Sequence, residues 1–514
     1  MNIDKKPTPI PLAPMAHHQI LTALVALIVA IIAIFVLPGC SWNGRPMRID
    51  PQTAGLPKAQ SWFIAGKVTN GAQVSCSFVE FDERGDFLDF RQHTDCEARL
   101  RSLVESNRLL VLIYCHGWKN SSQSGDVAHF NSFLAKLAES EEIQRLGLRV
   151  HGIYLGWRGN AFKPYVDKGA GNESYQNNLT AFGEPIVDRR QNRRFYWTAA
   201  IPETLSYWTR KGAAEHKVSG LPMARAIFTY AATAKKYGKK MDNRVCVMGH
   251  SFGALMLEQS LGHAMTGSLV MEWWNNPTEA NAPQLPGLPF DLVLFVNSAA
   301  PAVYAKEMRD FLKAHRGALG IVHSPEQDAP VIVSVTSTAD WATGVVHPIG
   351  NMCAPFAPSL QRRYTTGIFG NKGTNGLYPN HEGIRQSEFY TKTPGHQPYL
   401  INHWIIKEDA ALLPADTSAS SIFTANLLMT VKDPDLFFTS KAKYPASAWR
   451  FTTKPQGKPV TLDGLSPSMA DSDYWIVTCD KELIGGHNDI WSPTTMEMYA
   501  AIYRTVETRR GRNR

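Results

Sequence analysis

The residues of this chain best suited to chemistry are Gly249-His250-Ser251-Phe252-Gly253. They follow the apolar run Arg244 to Met248 and precede Ala254 to Leu261, which reads as a helix. A serine between small residues at a strand-to-helix turn is a nucleophile elbow: the turn lifts the hydroxyl clear of the sheet, and the glycines let the backbone make it. Ser251 is therefore the expected nucleophile. Its attack on a carbonyl would create an oxyanion needing backbone N–H donors placed in advance. One is expected from Phe252, the residue after the serine; the other from Trp118, in His116-Gly117-Trp118 at the end of an earlier strand.

A serine hydroxyl also needs a base, and the base a carboxylate to orient it, in the chain order serine, acid, histidine for this kind of site. Asp340 follows the strand Val331 to Val335 and is the expected acid, with Asp480 in reserve. Asp291 begins its strand and falls at the wrong end of the sheet. His347, His381, His396 and His403 compete for the base, and His396 in Pro394-Gly395-His396 is the strongest of them. His487 is preferred. It follows the last strand-like run, Tyr474 to Thr478, and Gly485-Gly486 before it give a loop able to turn the ring toward Ser251.

These residues need a frame that brings strand ends together. Leu109 to Cys115 is apolar at every position, as a central parallel strand covered on both faces must be. Similar runs lie at Val150 to Leu155, Arg244 to Met248, Asp291 to Val296, Val331 to Val335 and Tyr474 to Thr478. Helices are expected at Cys96 to Glu105, Phe130 to Glu139 and Met223 to Tyr237, with a closing helix marked by Met496, Tyr499, Ala500 and Tyr503. This alternation predicts an α/β fold with a mainly parallel sheet covered on both faces. Ser75 to Phe81 and Phe87 to Phe90 look like a hairpin around Asp82-Glu83-Arg84-Gly85-Asp86. Insertions are expected at about 160–220, 265–288 and 345–470. The first carries dense aromatics, Phe162, Tyr165, Tyr175, Phe182, Phe195, Tyr196, Trp197, Tyr207 and Trp208, fit to wall an apolar pocket or to pack a small cap.

With these residues in place the chain resembles the α/β-hydrolase superfamily, and more narrowly a group of functionally uncharacterised bacterial and fungal members. The resemblance rests on Val79-Glu80-Phe81-Asp82, His116 to Asn120, Gly156-Trp157-Arg158-Gly159, Gly249 to Gly253, Thr336 to Gly344 and His487-Asn488-Asp489-Ile490, in that order. It implies the hydrolase fold and a serine-hydrolase mechanism, and names no substrate.

The N-terminus carries a different message. Ile20 to Leu37 is an 18-residue apolar run interrupted only by Thr22, behind Lys5 and Lys6 and ahead of Pro38-Gly39-Cys40. Its length is just enough to span a bilayer. Leu37-Pro38-Gly39-Cys40 also resembles a bacterial lipobox, in which the cysteine, here Cys40, is lipidated. Lipoprotein, uncleaved anchor and soluble secreted protein remain open, so residues 1–40 are assigned to a signal or anchor, 41–60 to a linker and 61–514 to the hydrolase body. Setting Cys40 aside, six cysteines remain; Cys76 with Cys96, and Cys353 with Cys479, are the pairs to examine for disulfides.

The 514 residues are 44% hydrophobic and 19% charged, which excludes a disordered chain. A net charge of +8 raises nucleic acid as a partner. However, the visible basic clusters, Arg189, Arg190, Arg193 and Arg194 and the tail Arg509, Arg510, Arg512 and Arg514, lie on no recognition element, so none is expected. No Cys-x-x-Cys or His-Glu-x-x-His spacing calls for a metal, and no cofactor is implied. The expected activity is hydrolysis of a carboxylic ester, with a lipid ester suggested by the tether. A thioesterase or amidase would use the same residues, and a non-catalytic binding protein on a hydrolase fold is the alternative of another class.

Overall fold

A computed structural model describes residues 46–53, 61–159, 206–237, 242–275, 288–316, 330–352, 386–398, 400–408, 436–439, 448–452 and 473–512, with positions 22, 182 and 319. Among the described residues eleven strands form one sheet: β1 (Phe63–Lys67), β2 (Gln73–Phe81), β3 (Leu109–Cys115), β4 (Arg149–Trp157), β5 (Arg244–His250), β6 (Leu292–Val296), β7 (Ile332–Ser337), β8 (His403–Glu408), β9 (Leu436–Thr439), β10 (Ala448–Thr452) and β11 (Tyr474–Cys479). Their spatial order is β1-β2-β4-β3-β5-β6-β7-β11-β8-β10-β9. Every neighbouring pair from β2 to β8 is parallel, and antiparallel strands close both edges.

β3 explains why the runs are apolar throughout. Leu109, Val111, Ile113 and Cys115 join one core, while Leu110, Leu112 and Tyr114 join the other, because successive side chains leave a strand on opposite faces. The first core is covered by α1 (Phe90–Ser106), α3 (Leu221–Tyr237), α4 (Phe252–Asn275) and α5 (Ala302–Ala314). The second is covered by α2 (Gly125–Glu139) and α6 (Pro493–Arg512). Each fully buried Leu, Ile or Phe contributes about 1.5–3 kcal/mol of burial free energy.

Several expectations are corrected. The hairpin partner of β2 reduces to one bridge, Phe81 with Phe87, and Phe90 already opens α1, whose N-terminal amide at Arg91 is capped by the Asp89 carboxylate. Residues 265–275, expected in an insertion, continue α4. The long segment about 345–470 adds β8 beside β11 and two further strands, so it extends the sheet. Cys76, Cys96 and Cys479 are buried free thiols; Cys353 lies outside the described residues. In the stretch read as a linker, Arg48 is fully buried: its amide donates to Glu80 at 2.9 Å and its Nε to the Ser122 carbonyl at 2.7 Å.

Among the described residues no helix is long and apolar enough to cross a membrane; the run from Ile20 to Leu37, apart from Thr22, and Cys40 lie outside them. Residues 160–181 and 183–205, with most of the aromatic insertion, also lie outside, as do Arg189, Arg190, Arg193, Arg194, Arg514 and His381.

Candidate active site

β5 and α4 meet at Ser251, which has a φ of 56°. A non-glycine residue in that left-handed region costs about 1–2 kcal/mol, and the surroundings must impose it. They do so by close packing. A Cβ on Gly249 would lie 2.7 Å from the Ala254 Cα, and one on Gly253 would lie 2.1 Å from the Cys115 carbonyl oxygen. Only glycine lets the turn nest between β3 and α4. The Ser251 amide donates to the Val296 carbonyl at 3.1 Å, tying the elbow to β6.

The structure brings the three expected side chains together. The Ser251 hydroxyl lies 2.8 Å from His487 Nε2, and His487 Nδ1 lies 3.0 Å from each oxygen of Asp340. With Nδ1–H facing a carboxylate, Nε2 is left unprotonated and able to accept the serine proton. Asp340 stands just beyond the end of β7, where Thr343 donates to it through its amide at 3.1 Å and through its hydroxyl. Burial alone would raise the pKa of Asp340, but the bond and charge of His487 and both bonds from Thr343 outweigh it and hold the carboxyl below its ordinary range. The acid is thus kept ionised beside the ring it orients.

The rival histidines are elsewhere. His396 Nε2 reaches Thr343 Oγ1 at 3.2 Å, so it stands one residue behind Asp340. His347 contacts the Thr391 carbonyl and Asn351, and His403 stacks on Trp475 with ring centroids 4.1 Å apart. Asp480 bonds through its own carbonyl to the Leu483 amide, while Asp291 caps the opposite end of the sheet by accepting from the Val245 amide at 2.6 Å.

Phe252 opens α4, where the first N–H groups have no acceptor within the helix. Gly117, just before Trp118, lies against Ser251: a Cβ there would be 2.8 Å from Ser251 Cβ. The Trp118 and Phe252 rings pack 6.1 Å apart under Tyr207, which lies 5.7 and 5.5 Å from them. Tyr207 begins the helix Tyr207–Ala213, so the described part of the first insertion reaches the site.

Four positioning residues escaped sequence reasoning. His116 accepts from the Trp157 amide at Nε2 (3.1 Å), so its Nδ1 carries the proton and donates to the Gly117 carbonyl at 2.9 Å. Trp157 returns an indole bond to the His116 carbonyl at 2.9 Å, and together they fix the loop that carries Trp118. His250 donates from Nε2 to the His487 carbonyl at 2.8 Å; burial, then the neighbouring His487, pushes its pKa down to about 4, so it stays neutral. Asn297, at φ 46° beyond β6, donates from Nδ2 to the same carbonyl at 3.1 Å and accepts from the Ser337 amide at 3.0 Å. The only signal for Asn297 was a polar residue directly after an apolar strand.

Among the described residues no group of histidine, cysteine and acidic side chains could hold a metal ion. Comparison with family models, with curated proteins and with solved structures returns no match for this chain. What the fold and site define is a mixed α/β sheet with a Ser–His–Asp hydrogen-bonded chain at the C-terminal ends of β5, β7 and β11.

Proposed function

We propose that the chain is a serine hydrolase of the α/β-hydrolase class that cleaves carboxylic esters through an acyl-enzyme on Ser251. The observation that carries this reading is the unbroken line from the Ser251 hydroxyl through both nitrogens of His487 to Asp340. In this mechanism Ser251 Oγ attacks the ester carbonyl as His487 Nε2 takes its proton, and Asp340 stabilises the imidazolium. The tetrahedral oxyanion accepts from the amides of Phe252 and Trp118. His487 then protonates the leaving alcohol, and water, deprotonated by the same ring, releases the acid. The apolar run ending at Leu37 serves as the anchor, either spanning the bilayer or ending in a lipidated Cys40.

The test is labelling with a fluorophosphonate. Folded wild type should be labelled and turn over a short soluble ester, while Ser251→Ala does neither. Absence of labelling in folded wild type would sink the hydrolase reading and leave a binding protein on the same frame.

A further inference from the structure

The parallel strands β2, β4, β3, β5, β6, β7 and β11 all end on one edge of the sheet, and Ser251, Asp340 and His487 stand on that edge. The N-terminal chain joins the body at the same place. The amides of Met47 and Arg48 donate to Glu80, the penultimate residue of β2, at 3.2 and 2.9 Å, and Gln123, beyond the end of β3, holds the Met47 carbonyl.

Six large apolar side chains are exposed among the described residues, and all belong to this edge. Phe90 and Leu221 open α1 and α3, the helices that run back from it to reach β3 and β5. Trp208 lies on the helix that covers Trp118 and Phe252. Trp341, Val345 and Ile349 recur every fourth residue directly after Asp340 and are 67%, 38% and 50% exposed. A soluble surface scatters such residues; a row of them beside a site marks a docking face.

We propose that this face meets the bilayer entered by the chain's own anchor, and that the hydrolase takes its ester from that bilayer. This rests on the anchor and esterase readings above and names their substrate class, an ester with an apolar acyl chain resident in a membrane. Tether length selects the occupant. Met47 lies ten positions after Leu37 and seven after Cys40. Fully extended, these spans reach at most about 35 and 25 Å. A body of this size measures on the order of 60 Å across. Fixed beside Glu80 near the C-terminal end of β2, either leash keeps this edge of the sheet within its own reach of the membrane. Trp341, Val345 and Ile349 then sit among lipid chains beside Asp340, and an ester can reach Ser251 without crossing water.

The test uses the full chain in phosphatidylcholine vesicles. Trp341→Ser/Ile349→Ser, and separately Ile349→Glu, should lose at least tenfold in turnover of a long-chain ester dispersed in the vesicles. Both should hydrolyse a short soluble ester within twofold of wild type. Equal turnover of the vesicle ester by wild type and variants would overturn the proposal. A second reading is independent of catalysis: dibrominated phosphatidylcholine should quench the fluorescence by which wild type exceeds Trp341→Phe. If that increment is unquenched, the face does not meet lipid, and dimers on the vesicle would then identify a second copy of the chain as its occupant. If it is quenched while neither ester is cleaved, the membrane face stands and the esterase reading fails.

Discussion

Replacing Asn297 with alanine removes a clamp between the segments that carry His487 and Asp340. The amide side chain donates to the carbonyl of His487 at 3.1 Å and accepts from Ser337, three residues before Asp340, at 3.0 Å. The substitution strands the buried Ser337 N–H, which costs about 1–3 kcal/mol. It also puts alanine at a φ of 46°, where it lacks the local bonding that lets asparagine tolerate that region, for about 1 kcal/mol more. The sum is roughly 3 kcal/mol of stability, readable as a fall in the urea midpoint. The His487 carbonyl keeps its bond from His250, so the loop stays in place but less sharply held. A displacement of about 1 Å at the base costs on the order of a hundredfold in rate. Asn297→Gly separates the two effects, restoring only the backbone part, about 1 kcal/mol, while leaving the Ser337 N–H stranded and the rate low. The assay is the second-order rate of fluorophosphonate labelling at a temperature where all variants are folded. Folded Asn297→Ala reacting within twofold of wild type would refute the clamp.

His487→Ala should reduce soluble-ester turnover nearly as far as Ser251→Ala, by roughly four orders of magnitude or more, and the double variant should be little worse, since the residues act as one unit. His396→Ala should leave turnover within tenfold, because its ring reaches Asp340 only through Thr343; a dead His396→Ala beside a competent His487→Ala would reverse the assignment. Glu258 is buried on α4 beneath the hydroxyl of Tyr474, and burial, above all, raises its pKa to about 8. The folded state then keeps a proton that the unfolded state loses near pH 4.5, so this stability is complete below that pH and is lost as pH rises through about 8. Glu258→Gln should flatten the fall in urea midpoint between pH 5 and 8, and an unchanged slope would show that Glu258 is not its source. Cys40→Ala should abolish acyl labelling and processing if the anchor is a lipid, and leave protein size and membrane fractionation unchanged if the apolar run itself spans.

That Ser251, Asp340 and His487 come together was legible because each follows a strand with a clear apolar pattern. β3 and β5 are apolar at consecutive positions, which only a strand covered on both faces requires, and Ser251 sits where β5 must turn into a helix. His396 and His487 both satisfy the order serine, acid, histidine; His487 was preferred because it follows the last strand-like run on a loop opened by Gly485-Gly486. The extent of the sheet was less legible. β8 is written His403–Glu408, with a charge or polar group at both ends, and it joins β11 through only three paired residues. The docking of Arg48 was hidden for another reason. A buried arginine is readable only from its partners, the Ser122 carbonyl and the ring of Phe78 3.8 Å away, which are distant in sequence.

The pentad Gly249 to Gly253 shows why a motif conveys less than its structure. Read as spacing, it assigns roles to two glycines and a serine and treats His250 as filler. In place, His250 lies with its ring centroid 4.9 Å from that of His487 and donates to the carbonyl of that same residue. A second charged imidazole there would oppose the imidazolium that the proposed mechanism forms on His487. Burial prevents this by keeping His250 neutral, and the carbonyl facing Nε2 places the one remaining proton on that nitrogen. A charged His250 could donate to that carbonyl as well, so it is burial and not the hydrogen bond that keeps the ring neutral. His116, buried and also held neutral, fixes the Trp118 loop by the same means on the other side of Ser251. Two neutral imidazoles with assigned tautomers thus hold the loops that carry His487 and Trp118, while His487 itself pairs with Asp340.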